Sequence, residues 1–168
     1  MKTNTCFSKE ACHTIFLRLM SAGHDSHDNI ADIISQNLNF STFSRAATKA
    51  GLIPTLKNQK SLTVVVPDDR AFAALDQSKL KKVMDDTPRL KQIVLNHLFN
   101  GILTDEILMV SDGMKIMSLG GGEYTIETRD GVSQLAWKMN DDNIKESRIV
   151  RIIPATNGII LIVDNVLV

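Results

Sequence analysis

Residues 61–75, SLTVVVPDDRAFAAL, change periodicity within a few positions, and every local signal agrees on how. Leu62 to Val66 is an unbroken run of aliphatic and β-branched side chains, too short and too branched for a helix, so it reads as a buried strand. Pro67 ends it. Asp68 or Asp69 then accepts from the free amides of a following turn, and Ala71, Phe72 and Leu75 recur at helical spacing on one face. The unit is strand, tight turn, helix. Two adjacent carboxylates at a helix start would serve as a general base or cation site, or they would cap the helix and favour its dipole. Capping is the preferred reading, because no third ligand or partnered histidine lies at the local spacing that a metal site or triad requires.

The rest of the chain has to supply a body around this unit. With 168 residues and 43% hydrophobic content it holds enough for one core. Lysine plus arginine equals aspartate plus glutamate at 19 each, and aromatic residues are only 5%, so neither a steering field for nucleic acid nor a set of base-stacking platforms is present. The longest apolar run, residues 159–163, is far short of the roughly 20 residues that cross a bilayer as a helix.

Residues 1–28 differ in character, holding both cysteines, Cys6 and Cys12, together with His13, His24 and His27. Glu10, His13 and Arg18 interrupt the only apolar cluster, which argues against a secretory signal and for an extra helix over about residues 8–22 ending at Gly23. Thiolates and imidazoles are zinc ligands, yet the spacing of Cys6, Cys12, His13, His24 and His27 fits no standard finger, so a metal site is the secondary reading there.

Beyond this segment, Asp28 or Asn29 opens a helix with Ile30, Ile33, Ile34 and Leu38 on one face. Ser41 is expected to cap a second helix that turns Phe43, Ala46, Ala47 and Ala50 inward and stops at Gly51. Lys79, Lys81 and Lys82 read as the solvated face of a short helix over residues 78–84. Thr87 and Pro88 read as the cap and first turn of another, whose apolar stripe is Leu90, Ile93, Val94, His97 and Leu98. His97 therefore points inward, and a histidine on such a face is more often a core residue that fixes nearby backbone than a catalyst.

From Thr104 the period becomes two. Strands are expected over residues 115–119, 123–128, 132–137 and 148–153, with a hairpin at Asp130-Gly131 and a solvated connection over residues 140–146. Gly120, Gly121 and Gly122 precede a strand rather than a helix, so they form a turn and not a phosphate cradle. Asn157-Gly158 turns the chain into residues 159–168, whose nearly continuous apolar sequence requires cover on both faces. Helices concentrated in the first half and strands in the second indicate an α+β fold.

Thr63-Val-Val-Val-Pro67-Asp68-Asp69-Arg-Ala-Phe72 resembles the first signature of the fasciclin-like domain family, T-V-F-A-P-T-[ND]-x-A-F. Asn157-Gly158-Ile-Ile-Leu-Ile-Val-Asp164-Asn-Val-Leu resembles its second, N-G-x-I-H-x-I-D-x-V-L, and Asn96-His97 resembles the histidine helix between them. The resemblance spans residues 29–168 and implies a β wedge or sandwich with a helical layer, residues 1–28 being an extension with the extra helix. It also implies a non-catalytic interaction domain that acts in adhesion or in binding to extracellular matrix or cell surface, uses no cofactor, and sits in an extracellular or periplasmic location. The weak N-terminal export signal leaves a cytoplasmic one open. Its partners would be proteins or surfaces, with self-association open. Val65, Asp68, Asn96 and Leu161 depart from the pattern, where the family carries phenylalanine, threonine, tyrosine and histidine. The pair formed with the family tyrosine has been tied to partner recognition, and Asn96 weakens that inheritance. Two other readings compete: a small-ligand or metal sensor built on Cys6, Cys12 and His13, and an enzyme working through His97 with Asp68 or Asp69.

Overall fold

A computed structural model describes residues 28–140 and 143–168. The helix expected over residues 8–22 and the group of Cys6, Cys12, His13, His24 and His27 lie outside the described residues. The fold is α+β, with a helical layer against a wedge-like sheet. Three short helices, α1 (Ile30–Gln36), α2 (Ser41–Lys49) and α3 (Ile53–Asn58), lead into strand β1 (Leu62–Pro67). Helices α4 (Asp69–Ala73), α5 (Gln77–Asp85) and α6 (Thr87–Asn96) follow, then β2 (Leu98–Asn100) and α7 (Asp105–Val110). The remainder is strand: β3 (Lys115–Met117), β4 (Glu123–Arg129), β5 (Val132–Asn140), β6 (Asn143–Ala155) and β7 (Gly158–Val163).

The strands run in the order β2-β1-β7-β6-β5-β4-β3. The two signature blocks are therefore neighbours: β1 and β7 pair in parallel from Leu62 opposite Gly158 to Pro67 opposite Val163. Along both strands successive side chains face opposite ways. Leu62, Val64, Val66, Ile160 and Ile162 meet the helices, packing with Ile30, Phe43 and Leu56. Val65, Leu161 and Val163 face a second interior with Tyr124, Ile126 and Trp137. Both faces are dry, which is why neither strand alternates in polarity.

That second interior exists because the sheet curls. Strand β6 pairs with β5 as far as Arg148 and with β7 from Ile149 onward, and its register shifts between Ile149 and Arg151, where a bulge bends the strand. The two ends of the sheet then come together: Phe99 bridges Ser118, and the Leu119 amide donates to the Leu98 carbonyl at 2.8 Å. Val65 and Leu161, two of the four departures from the family pattern, are register partners inside this closed face, where apolar side chains fit.

Local expectations divide by how local their causes are. Asn29 caps α1, and the Asp130-Gly131 hairpin adopts φ values of 53° and 77°, as a two-residue turn of that hand demands. Leu38, however, is 88% exposed, because α1 ends at Gln36 and a 3₁₀ turn capped by Asn37 turns Leu38 away. Ser41 and Thr87 are first helical residues rather than caps; Asp86 caps α6 through the Arg89 amide. Leu98 opens β2 instead of closing the helix, and residues from Asn143 onward belong to the long strand β6 rather than to a connection. Strand β7 stops at Val163, after which Val166 and Leu167 stay buried without strand pairing.

Candidate functional site

The two carboxylates at the end of β1 go to different helices. Asp68 accepts from the Ala71 amide at 2.8 Å and caps its own helix, α4. Asp69 reaches back to α2, accepting from the Ser41 hydroxyl at 2.7 Å and the Thr42 amide at 3.0 Å. Phe40, at the cap position of α2, offers no side-chain acceptor, so Asp69 supplies one from 27 residues away. Partial burial raises the Asp69 pKa, but the hydrogen bonds from Ser41 and Thr42 outweigh it and hold the carboxyl below its ordinary value.

Other signature residues tie segments distant in sequence. Thr63 is fully buried; its hydroxyl donates to the Gly101 carbonyl at 2.7 Å and accepts from the Leu103 amide at 3.0 Å. Asn157 accepts from the Ile30 amide at 2.9 Å and donates to the carbonyls of Leu56 at 2.7 Å and Gln59 at 3.2 Å. One amide thus fixes the start of α1, the end of α3 and the entry to β1. Beside it, a Cβ on Gly158 would collide with the Leu62 carbonyl oxygen, so only glycine permits β7 to approach β1 this closely. Asp164 accepts from the Arg148 amide at 2.9 Å next to the β6 bulge. Pro67 closes β1 opposite Val163, and Phe72 is buried on α4. Asn96 Oδ1 accepts from the Ser118 hydroxyl at 3.3 Å, beside the glycine turn.

His97 is buried, at 1% exposure. The Leu167 amide lies 3.1 Å from Nε2, and since an amide only donates, Nε2 carries no proton. The proton is on Nδ1, which donates to the Ile93 carbonyl at 2.8 Å. Burial pushes the pKa down to about 4, against a smaller opposing effect of the Ile93 carbonyl, so the ring is neutral near pH 7. Phe43 meets it edge-on at 5.7 Å between ring centroids. Both ring nitrogens are engaged by backbone, and no hydrogen bond joins His97 to Asp68 or Asp69. The arrangement a histidine–aspartate enzyme needs is not assembled there.

One concave feature lies next to His97 that the motifs did not announce. A cavity of about 460 Å³ opens between α2, α5 and α6, with Phe43, Val94, His97 and Val166 at its base. Leu80, Val83 and Met84 of α5 form the facing wall, and Lys79 and Arg89 stand at its exposed mouth. Helix α5 buries none of its residues fully. The lysines of α5 read as a solvated face, whereas the i, i+3, i+4 spacing of Leu80, Val83 and Met84 on the other side is the signal that finds the cavity. Among the described residues, no group of three or more His, Cys, Asp or Glu side chains is placed to hold a metal, and no helix is long and apolar enough to cross a membrane.

Comparison with known proteins agrees with this geometry. The chain is 29% identical over 140 residues to the uncharacterized protein sll1735 of Synechocystis, covering 83% of this chain and 96% of that protein. It is 26% identical over 141 residues to the transforming growth factor-beta-induced protein ig-h3 of Sus scrofa, covering 84% of this chain but only 19% of that much longer protein. A FAS1 domain pair from the insect cell adhesion molecule Fasciclin I superposes with a TM-score of 0.69 at 20% identity, over 84% of this chain and 51% of the other. The model of the fasciclin domain matches residues 38–168, which is most of the chain and includes both signature blocks and the histidine helix between them. The chain belongs to the fasciclin domain family.

Proposed function

We propose that this chain is a non-catalytic protein-interaction domain that works in cell adhesion or in binding to extracellular matrix or a cell surface. Fasciclin domains commonly mediate adhesion or protein interaction and are generally non-catalytic, and the family includes extracellular and cell-surface proteins. The observation that carries the reading is how the polar signature residues are used. Thr63, Asp68, Asp69, Asn157 and Asp164 each hydrogen-bond to backbone in another segment or at a helix start, and His97 does so through both ring nitrogens. They act as structural clamps, leaving recognition to the surface they hold in shape.

The surface best suited to that task is the stretch from α7 into the edge strand β3. Val110 is 84% exposed and Met117 64%, and Ile107, Met109 and Met114 are exposed beside them in sequence. Large apolar side chains concentrated in one exposed stretch are a mark of protein contact. The interaction domain occupies residues 29–168, with residues 1–28 as an N-terminal extension, in an extracellular or periplasmic setting. Beads coated with the full chain should adhere to cells or matrix of the producing organism, and Val110→Asp with Met117→Asp should abolish adhesion without lowering the melting temperature. Panels of hydrolase and transferase substrates should stay silent; turnover that a point substitution abolishes would overturn the reading.

A further inference from the structure

Protein interiors are packed as densely as organic crystals, and an apolar void of several hundred cubic ångströms is an exception within them. The space under α5 is a pocket of that size, about 460 Å³, open to solvent on the side of Lys79 and Arg89. Ligand clefts run from about 300 to 1,000 Å³, so it is of a size to take a medium-length acyl chain. Its walls are the side chains of Phe72, Leu75, Leu80, Val83 and Leu90, which offer nothing to a polar ligand. His97 at the base presents no free nitrogen, since Ile93 and Leu167 occupy both.

Charge is confined to the mouth, where Lys79, Arg89 and Lys145 outnumber the one carboxylate, Asp76. Lys79 and Arg89 line the cavity, are exposed, and carry no ion pair among the described residues. Asp76, the carboxylate that also lines it, accepts from the Ser78 and Lys79 amides as the cap of α5. Lys145 donates to the Val168 carbonyl at 3.1 Å. Among the described residues, two cations without an ion pair therefore stand over an apolar slot with a net positive mouth, an arrangement that complements a negative head on a hydrocarbon tail.

We propose that this cavity binds a single-chain anionic amphiphile of the fatty-acid class, its hydrocarbon tail between α5 and α6 and its carboxylate on Lys79 and Arg89. The tail completes the packing that α5 lacks, and the head group satisfies the two cations in a way that neither a neutral alkane nor a cationic amphiphile does. This site is separate from the exposed stretch around Val110 and Met117, so the two readings stand or fall independently.

The test uses the full chain and three twelve-carbon probes below their micelle concentrations: dodecanoate, dodecanol and dodecyltrimethylammonium. Calorimetric titration should show dodecanoate binding one per chain and raising the melting temperature, with dodecanol weaker and the cationic probe weakest. Lys79→Glu combined with Arg89→Glu should weaken dodecanoate at least tenfold while leaving the unliganded melting temperature unchanged, since both side chains are exposed. Val83→Phe, which fills the slot from a half-buried position, should weaken all three probes. The proposal is overturned if dodecanoate does not bind, if the cationic probe binds equally well, or if charge reversal leaves affinity unchanged. A cavity closed by a second copy or by the chain's own residues shows no dodecanoate binding and overturns it as well.

Discussion

Lowering the pH from 7.5 to 5 should weaken the native chain by about 2 kcal/mol through His97 alone. In the folded chain the ring's pKa is about 4, against an ordinary value of 6.5 once unfolding exposes it. The unfolded state therefore takes up a proton first as the solution is acidified. Stability from this group is complete above the unfolded value and is lost progressively as pH falls from 6.5 toward 4. At pH 5 the unfolded ring is almost fully protonated and the folded one barely so, a gap of about 1.5 pH units at 1.36 kcal/mol each. The structural cause is specific: a proton on Nε2 would face the Leu167 amide, a donor, at a ring that is only 1% exposed. Urea denaturation of the native chain and of His97→Gln at a series of pH values isolates the effect, because glutamine keeps an acceptor near the Nε2 position and does not titrate. Near neutrality the variant should be less stable by about 1 kcal/mol for the lost bond to Ile93. Toward pH 5 the two curves should converge and cross. Parallel curves, with the same difference at pH 7.5 and pH 5, would show that His97 protonates without cost and refute the assignment of its two hydrogen bonds.

Three further substitutions probe the clamps. Gly158→Ala should destabilise the chain by at least about 3 kcal/mol, since the new methyl group meets the Leu62 carbonyl in the middle of the sheet; a melting temperature within a few degrees of the parent would contradict the packing described. Asn157→Ala removes an acceptor for Ile30 and the donor to Leu56 and Gln59, and should cost about 2–4 kcal/mol in chemical denaturation, a loss below 1 kcal/mol being incompatible with those bonds. Asp69→Ala should cost about 1 kcal/mol and loosen the first turn of α2, read as faster amide exchange at Thr42; exchange unchanged there would mean that α2 does not rely on this carboxylate.

How far the residues announced the outcome depended on the distance over which each cause acts. The strand from Leu62 to Val66, a cap within the Asp68-Asp69 pair and the Asp130-Gly131 hairpin are set by immediate neighbours, and each is readable from a few positions. The second role of the DD pair was not, because Asp69 serves a helix that begins 28 residues earlier at Ser41. Reading His97 as a core histidine that fixes backbone was possible from its stripe, but its partner Leu167 lies 70 residues downstream and no pattern names it. Leu98 continues the helical stripe of Leu90 and Val94 in sequence, although pairing with Val64 makes it a strand residue. The polar sequence from Asn143 to Ser147 hid the first half of β6, whose side chains are mostly exposed or half-buried and whose pairing comes from β5. The cavity has only the apolar spacing of Leu80, Val83 and Met84 to mark one wall, since it arises from how α5 sits against α2 and α6.

The parallel pairing of β1 with β7 also governs when the molecule can be completed. A nascent chain will have released its early helices and β1 long before Gly158–Val163 emerges, and until then one side of the central strand has no partner. Closing so wide a loop is slow compared with forming a local turn, so the half-made intermediate should persist on the ribosome with an open, adhesive edge. Pauses in synthesis that fall between these two strands are where such a protein is most exposed to capture by chaperones or to wrong pairing with its neighbours.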